Sequence, residues 1–146
     1  MKVKLVKSKK SELKVISKIY VKEFSKVPYE ENWTLPKALK KMKFYYEFYD
    51  LYSIKLDEEL VGFAVVNPNF MCPGEIAFGE EFAIDEKFQG KGIGTKILKE
   101  IIEIYRKKGY ESFMLIASKK SNAFKLYKKI GIKESKEGVL MEKMLK

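Results

Sequence analysis

The stretch QGKGIGT at residues 89–95 places three glycines at alternate positions directly before an amphipathic segment. Ile97, Leu98 and Ile101 recur in that segment at helical spacing, and the run before the glycines, residues 75–84, is strand-like. A strand that ends in a glycine turn and opens into a helix presents unpaired N–H groups and the positive end of the helix dipole. The stretch therefore predicts a binding site for an anionic phosphate group.

Several kinds of glycine loop compete for this stretch. A Walker loop needs Gly, four residues and then Gly-Lys-Ser/Thr, and this spacing is absent. A dinucleotide fingerprint needs a glycine where Thr95 stands and an acidic residue at the end of the next strand, whereas Glu111 precedes that strand. A glycine turn without a ligand stays open as an alternative. The position of the loop, with Lys91 and Lys96 beside it, favours the pyrophosphate of coenzyme A.

The composition sets the class of protein. The chain has 146 residues, 46% of them hydrophobic and 14% aromatic, which predicts one globular domain over residues 1–146. No apolar run approaches the roughly 20 residues of a membrane span, and no signal-peptide pattern follows the start, so we expect a cytoplasmic protein without a membrane partner. Cys72 is the only cysteine and histidine is absent. This excludes an intramolecular disulfide and histidine catalysis, and we expect no metal.

The net charge of +10 has more than one interpretation. A lysine-rich solvated surface, a phosphate-bearing coenzyme and a nucleic acid each agree with it. The basic strands interleaved with aromatic residues that are typical of RNA-recognition sheets are absent. A nucleic-acid partner is therefore not favoured.

Apolar periodicity predicts the order β-α-α-β-β-β-α-β-α-β-β. The predicted signals are helix caps at Ser8 or Ser11, Thr34 and Asn122, helix ends at Gly109 and Gly131, a hairpin turn at residues 57–59, and a last hairpin of residues 132–135 and 139–144 around Glu137-Gly138. Tyr45, Tyr46 and Tyr49 are predicted to lie in the core rather than in a pocket. These elements together predict an α+β domain, with a central mixed sheet between helices.

Three segments carry a resemblance to a known family. Residues 89–94 resemble the Gln/Arg-x-x-Gly-x-Gly/Ala loop of the GNAT N-acetyltransferase superfamily, and residues 82–85 resemble the end of its β4 strand. Residues 121–132 are similar to its C-terminal motif, with Ala123, Tyr127 and Gly131 at the matching places. The resemblance implies an α-β-α sandwich around a mostly antiparallel, seven-stranded sheet that splays between β4 and β5.

The resemblance also implies acetyl-CoA as the acyl donor, with its pantetheine arm hydrogen-bonded to the backbone of Phe82 and Ile84. Lys120 and Ile132 depart from the family, which commonly has Asn and Phe there. The implied coenzyme-binding residues are Phe82, Ala83, Ile84, Gln89, Gly90, Lys91, Gly92, Ile93, Gly94, Thr95, Asn122 and Tyr127.

The catalytic groups are also implied in part by the resemblance. Tyr127 would lie beside the coenzyme sulfur and protonate the leaving thiolate, since the reference pKa of a phenol, about 10, is close to that of an alkyl thiol. A core aromatic role is the alternative for Tyr127. Without histidine, the amine proton must pass to a carboxylate, a tyrosine or water. Strand alternation predicts that only one of Glu80 and Glu81 faces the cleft, and relatives favour Glu80; solvent exposure of both is the alternative.

The family builds its acceptor pocket from the loop between the first two helices and from the last hairpin. Tyr29, Glu30 and Trp33 in that loop, with Glu81, suit a cation, although Tyr29 and Trp33 also suit packing of the loop onto the core. We expect direct acetyl transfer to a primary amine of a small molecule, peptide or protein. An acyl-enzyme on Cys72, a non-catalytic coenzyme A-binding module and a basic nucleic-acid-associated module are the alternatives. A homodimer stays open.

Overall fold

The computed structural model describes residues 2–146, which have an α+β fold. The short turns at Lys10–Glu12 and Glu86–Phe88 are 3₁₀-helical. The longer elements of these residues are β1 Val3–Lys7, α1 Leu13–Phe24, α2 Leu35–Phe48, β2 Asp50–Leu56, β3 Glu59–Phe70, β4 Ile76–Ile84, α3 Ile93–Lys107, β5 Ser112–Leu115 and α4 Asn122–Lys129.

The sheet is mixed and has the order β1-β2-β3-β4-β5. Its first four strands pair antiparallel, whereas β5 runs parallel to β4 from the Ile76–Ser112 pair to the Gly79–Leu115 pair. Beyond Gly79, β4 continues to Ile84 without β5 beside it. The second half of β4 therefore keeps one edge without a strand from residues 2–146.

Helices cover both faces of the sheet. Ile97, Ile101 and Tyr105 of α3 belong to the core cluster on one face. Ile16 of α1 and Met42 of α2 belong to the cluster on the other face. The three layers confirm the mixed-sheet sandwich that the sequence predicts.

Several local signals act as the sequence predicts. The hydroxyl of Thr34 accepts the N–H of Lys37 at 3.4 Å and caps α2. Gly109 and Gly131 follow α3 and α4 with φ values of 89° and 97°, the left-handed conformation that ends helices. Asp57-Glu58 joins β2 to β3.

Two predicted helix caps are wrong. The Oγ of Ser8 contacts the Oγ of Ser53 at 2.8 Å, and α1 begins at Leu13 after a 3₁₀ turn that contains Ser11. In α4 the cap is Ser121 rather than Asn122, because the Oγ of Ser121 accepts the N–H of Phe124 at 3.1 Å. In α4 the error arises because two neighbouring polar residues suit the cap, and in α1 it arises because a 3₁₀ turn precedes the helix.

The predicted last hairpin does not form, so the sheet has five strands rather than seven among residues 2–146. A tight two-residue hairpin turn of type I′ needs positive φ at both central residues, and neither Glu137 nor Gly138 has it. Val139, Leu140 and Met141 remain 74–84% exposed. An isolated two-stranded ribbon is marginal in water, and β5 offers an edge of only four residues, Ser112–Leu115.

Candidate active site

A bulge in β4 places two carboxylates on one side of the strand. Val65 pairs with Glu81 and Val66 pairs with Gly79, so Glu80 is the extra residue. Bulges interrupt the alternation of side chains. Glu80 and Glu81 therefore line the same inner cavity, and the prediction that only one of them faces the cleft is wrong.

This inner cavity lies where β4 and β5 separate and has a volume of about 90 Å³. Phe82, Leu115 and Ala123 supply apolar parts of its wall. Its polar wall residues include Tyr29, Glu80, Glu81, Ser118, Ser121 and Tyr127.

Glu81 is the most enclosed carboxylate of the cavity, with 11% of its side chain exposed. The hydroxyl of Tyr45 donates to its Oε2 at 2.7 Å, and the hydroxyl of Tyr20 donates to the same oxygen at 3.1 Å. The ammonium of Lys41 lies 3.7 Å from Oε2. Burial raises the pKa of Glu81, and these donors oppose the rise.

Glu80 has a different environment. Burial also raises its pKa, and the charge of Lys41 and the side chain of Asn67 oppose this. No tyrosine hydroxyl of residues 2–146 donates to it. Glu80 is therefore held less firmly than Glu81.

Tyr127 projects from the short helix α4 and is 9% exposed. Its hydroxyl has no hydrogen-bond partner among residues 2–146, yet it is not a fully enclosed atom, so it opens onto the inner cavity. Burial, with Tyr29 and Glu81 nearby, raises the pKa of Tyr127. The phenol is therefore protonated at neutral pH.

The glycine loop has the conformation that its glycines permit. Gly90 and Gly92 have φ values of 77° and 81°. The first helical bond of α3 runs from the N–H of Lys96 to the carbonyl of Gly92 at 3.2 Å. The N–H groups of Ile93, Gly94 and Thr95 precede that bond and have no helical acceptor, as is usual for a helix start.

These N–H groups border a cleft of about 640 Å³ between the glycine loop, the end of β4, α1 and α4. Lys91 is not part of its wall, and its ammonium lies over the ring of Phe88, 5.6 Å from the centroid. The predicted coenzyme residues that line the cleft are Phe82, Ala83, Ile84, Gln89, Gly90, Gly92, Ile93, Gly94, Thr95 and Asn122.

Gln89 fixes the start of the loop. Its Nε2 donates to the carbonyl of Ile84 at 2.6 Å and to Oε1 of Glu23 at 2.8 Å. The loop is thereby attached both to the end of β4 and to α1. Glu23 lines the cleft as well, and no sequence pattern indicated it.

The cleft and the inner cavity adjoin. Phe24, Tyr29, Phe82, Ser121 and Ala123 line both of them. The space beside the glycine loop therefore continues to the hydroxyl of Tyr127 and to the two carboxylates.

Only two of the four residues predicted to form the acceptor pocket lie at the inner cavity. Tyr29 and Glu81 line the inner cavity, whereas Glu30 and Trp33 line neither space. The ring of Trp33 packs edge-on against Tyr20, with 4.6 Å between centroids, so its role is to hold the loop on the core.

Sequence reasoning missed three groups that contact Glu81. Tyr45 is buried, as predicted, but its hydroxyl is directed to the carboxylate, and Tyr20 and Lys41 were not singled out. Tyr46 was predicted to lie in the core and is 41% exposed. The available signal is a buried tyrosine, because its hydroxyl needs a partner.

The described residues give little support to a cysteine nucleophile or to a metal site. Cys72 is exposed, and the charge of Glu75 raises its pKa, which disfavours the reactive thiolate. Residues 2–146 contain no group of Cys, Asp or Glu side chains placed to hold a metal ion. Within the same residues no helix has the length and apolarity to cross a membrane.

The model of the Acetyltransferase (GNAT) family matches residues 13–132, which include the glycine loop, β4 and Tyr127. The chain belongs to the GNAT acetyltransferase family. Its sheet, with the parallel β4–β5 pair, is the GNAT fold with five strands. Proteins of this family are acetyltransferases, and the family uses coenzyme A.

Solved structures share the fold at low identity. A possible acetyltransferase from Clostridium difficile 630 has a TM-score of 0.83 at 13% identity, with 99% of each chain covered. An aminoglycoside acetyltransferase from an uncultured soil metagenomic sample, in complex with sisomicin, has a TM-score of 0.73 at 19% identity, covering 99% of this chain and 97% of that one. An aminoglycoside N-acetyltransferase in complex with CoA has a TM-score of 0.76 at 13% identity, covering 97% and 95%. No curated protein sequence matches significantly.

Proposed function

We propose that the protein transfers an acetyl group from acetyl-CoA directly to a primary amine. The observation that carries this proposal is the continuity of the two spaces. The cleft beside the glycine loop opens, through Tyr29 and Phe82, into the cavity that contains Tyr127, Glu80 and Glu81. A phosphate site can hold the coenzyme, and a proton donor and carboxylates can assist aminolysis of its thioester.

Backbone groups support acetyl-CoA as the acyl donor. The free N–H groups of residues 93–95 suit the pyrophosphate. The half of β4 after Gly79 has no strand on its β5 side, which leaves the backbone near Phe82 and Ile84 available to the amides of the pantetheine arm. The sulfur would then lie toward Tyr127.

The charge of the inner cavity supports an amine as the acceptor. The chain carries a net charge of +10, yet the inner cavity contains two carboxylates, Glu80 and Glu81. A carboxylate attracts an ammonium group. It can also act as the base that accepts the proton the amine must lose on its way to attack the thioester. The solved relative with sisomicin, an aminoglycoside, supports an amine as the acceptor.

The transfer needs no acyl-enzyme. The amine attacks the thioester carbonyl, the carbon–sulfur bond breaks, and the phenol of Tyr127 gives its proton to the thiolate. Cys72 lies outside both spaces, and we expect Cys72→Ser to retain turnover.

Two measurements test the proposal. Calorimetric titration with acetyl-CoA is expected to show binding, and the absence of binding at millimolar ligand would overturn it. Thiol release is then measured with polyamines, lysine peptides and aminoglycosides. Coenzyme binding without thiol release from any amine would instead indicate a non-catalytic coenzyme-binding module.

A further inference from the structure

The two oxygens of the Glu81 carboxylate have different surroundings. Oε2 accepts hydrogen bonds from Tyr20 and Tyr45 and lies near Lys41. Oε1 has no hydrogen-bond partner among residues 2–146. Oε1 is not among the fully enclosed side-chain atoms without a hydrogen bond in those residues, and Glu81 lines the inner cavity, so Oε1 is the oxygen available to a molecule in that cavity.

We propose that Oε1 of Glu81 accepts the proton of the attacking amine, and that Tyr20 and Tyr45 are positioning residues that hold the carboxylate by its other oxygen. The inference rests on the proposed function. It assigns the role of base to Glu81, whereas the family resemblance favoured Glu80.

The geometry separates the two candidates. Two hydroxyl donors on one oxygen, with the Lys41 ammonium 3.7 Å away, hold the Glu81 carboxylate in one orientation and favour its ionised form, while the second oxygen keeps its lone pairs for the amine. Hydrogen bonds to a charged group are about twice as strong as those between neutral groups, so they restrict the rotamer of a buried side chain. Glu80 has no tyrosine hydroxyl as a partner among the described residues.

The step balances for a neutral amine. The nitrogen–carbon bond forms as one N–H proton passes to Oε1 of Glu81. The carbon–sulfur bond breaks, its electron pair stays on sulfur, and the proton of Tyr127 joins that sulfur. The products are the N-acetyl amine and free CoA thiol, and the proton on Glu81 returns to the Tyr127 phenolate through solvent.

Each element that packs against Glu81 places a titratable group near it, and those on α1, α2 and β4 shift the pKa of Glu81 in definite directions. Tyr20 from α1, with Tyr45 and Lys41 from α2, lowers its pKa, whereas Glu80 from the same strand raises it. The other titratable groups of the cavity are Tyr29, from the loop after α1, and Tyr127 from α4, whose own pKa is raised in part by Glu81. Removing the Tyr45 hydroxyl should therefore raise the pKa of Glu81, and removing the charge of Glu80 should lower it.

The experiment measures kcat/KM against pH, using the amine that gives thiol release. Tyr45→Phe is expected to move the acid limb up by about one pH unit, the equivalent of a single hydrogen bond to a charged group. Glu80→Gln is expected to move the same limb down. Tyr46→Phe, on the same helix but exposed, is the matched control and leaves the limb in place. Glu81→Gln lowers kcat/KM by about 100-fold on the plateau above the acid limb and removes that limb, since general base catalysis contributes about 10²–10⁴-fold.

A second readout does not depend on turnover. The side-chain carboxyl ¹³C resonance of Glu81 reports its titration directly, and its midpoint is expected to rise in Tyr45→Phe and fall in Glu80→Gln. An unchanged midpoint in both variants would show that Tyr45 is not a positioning residue for Glu81. Thiol release that survives Glu81→Gln but is lost in Glu80→Gln would overturn the assignment while leaving the proposed function intact. If wild-type protein releases no thiol with any amine, the proposed function itself fails, and this inference with it.

Discussion

The coenzyme cleft and the inner cavity are built in different ways. The cleft takes its ligand-binding groups from the backbone of one continuous stretch, residues 89–95, whose glycines have positive φ and whose helix starts there. The inner cavity takes side chains from β4, α1, α2 and α4, which are distant in sequence. A local backbone site can be recognised from a motif, whereas a site assembled by packing has to be seen in three dimensions.

The largest expected effect falls in the inner cavity. Tyr127→Phe removes the proton donor and keeps the ring, so kcat should fall by about 10²-fold. The affinity for acetyl-CoA, measured by calorimetry, should change little, because the cleft residues are untouched. Equal turnover in the variant would show that the phenol of Tyr127 is not the acid.

The next effect tests the cleft. Gly92→Val forces a branched side chain to φ 81°, which costs about 1–2 kcal/mol of stability, and its side chain crowds the phosphate site. We expect coenzyme affinity to fall by about tenfold, equivalent to 1.4 kcal/mol. The measurement is calorimetric titration of the folded variant.

Gly74→Val is the matched control for that variant. Gly74 has φ 84°, and a Cβ at this position, as at Gly92, would meet nothing within 4 Å, but Gly74 lies outside the cleft. Thermal unfolding should show a similar loss of stability in both variants, with coenzyme affinity reduced only in Gly92→Val. Equal coenzyme affinities in the two variants would show that the glycine loop does not bind the coenzyme.

The same contrast explains what the sequence could predict. Helix periodicity, the cap at Thr34 and the helix ends at Gly109 and Gly131 depend on neighbours in the chain, and they were predicted. The bulge at Glu80 and the tyrosine contacts of Glu81 depend on strand register and helix packing, and they were missed. The last hairpin was predicted from the Glu137-Gly138 turn and from the family resemblance, and neither supplies the partner strand that residues 139–144 lack.

A smaller effect concerns stability and pH. The folded-state pKa of Glu81 is raised, so its ionised form destabilises the fold at pH values above that pKa, and the cost disappears as the carboxyl is protonated in acid. Glu81→Gln should therefore unfold at a higher temperature than wild type at pH 8, with the difference vanishing toward low pH. Differential scanning calorimetry at both pH values measures this. A variant that is less stable at pH 8 would show that the tyrosine and lysine contacts outweigh burial.

The smallest effect is expected at Gly94, the loop glycine that lies within α3. A Cβ there would lie 3.4 Å from Cδ2 of Leu126 and 3.7 Å from Cζ of Phe82, which is ordinary contact. Gly94→Ala should therefore keep coenzyme affinity and raise stability by about 0.5 kcal/mol, since alanine restricts the unfolded chain. Urea unfolding and calorimetric titration measure the two quantities. A marked loss of affinity would mean that the ligand approaches closer to Gly94 than its neighbours do.

Direct acetyl transfer, the central claim about the two adjoining spaces, is tested most directly by thiol release from acetyl-CoA with and without an amine, followed by mass spectrometry of protein and amine. We predict thiol release that depends on the amine, an acetylated amine, and no acetyl group on Cys72 or elsewhere on the protein. Thiol release without an amine, together with an acetylated protein that passes its acetyl group to the amine, would contradict the account.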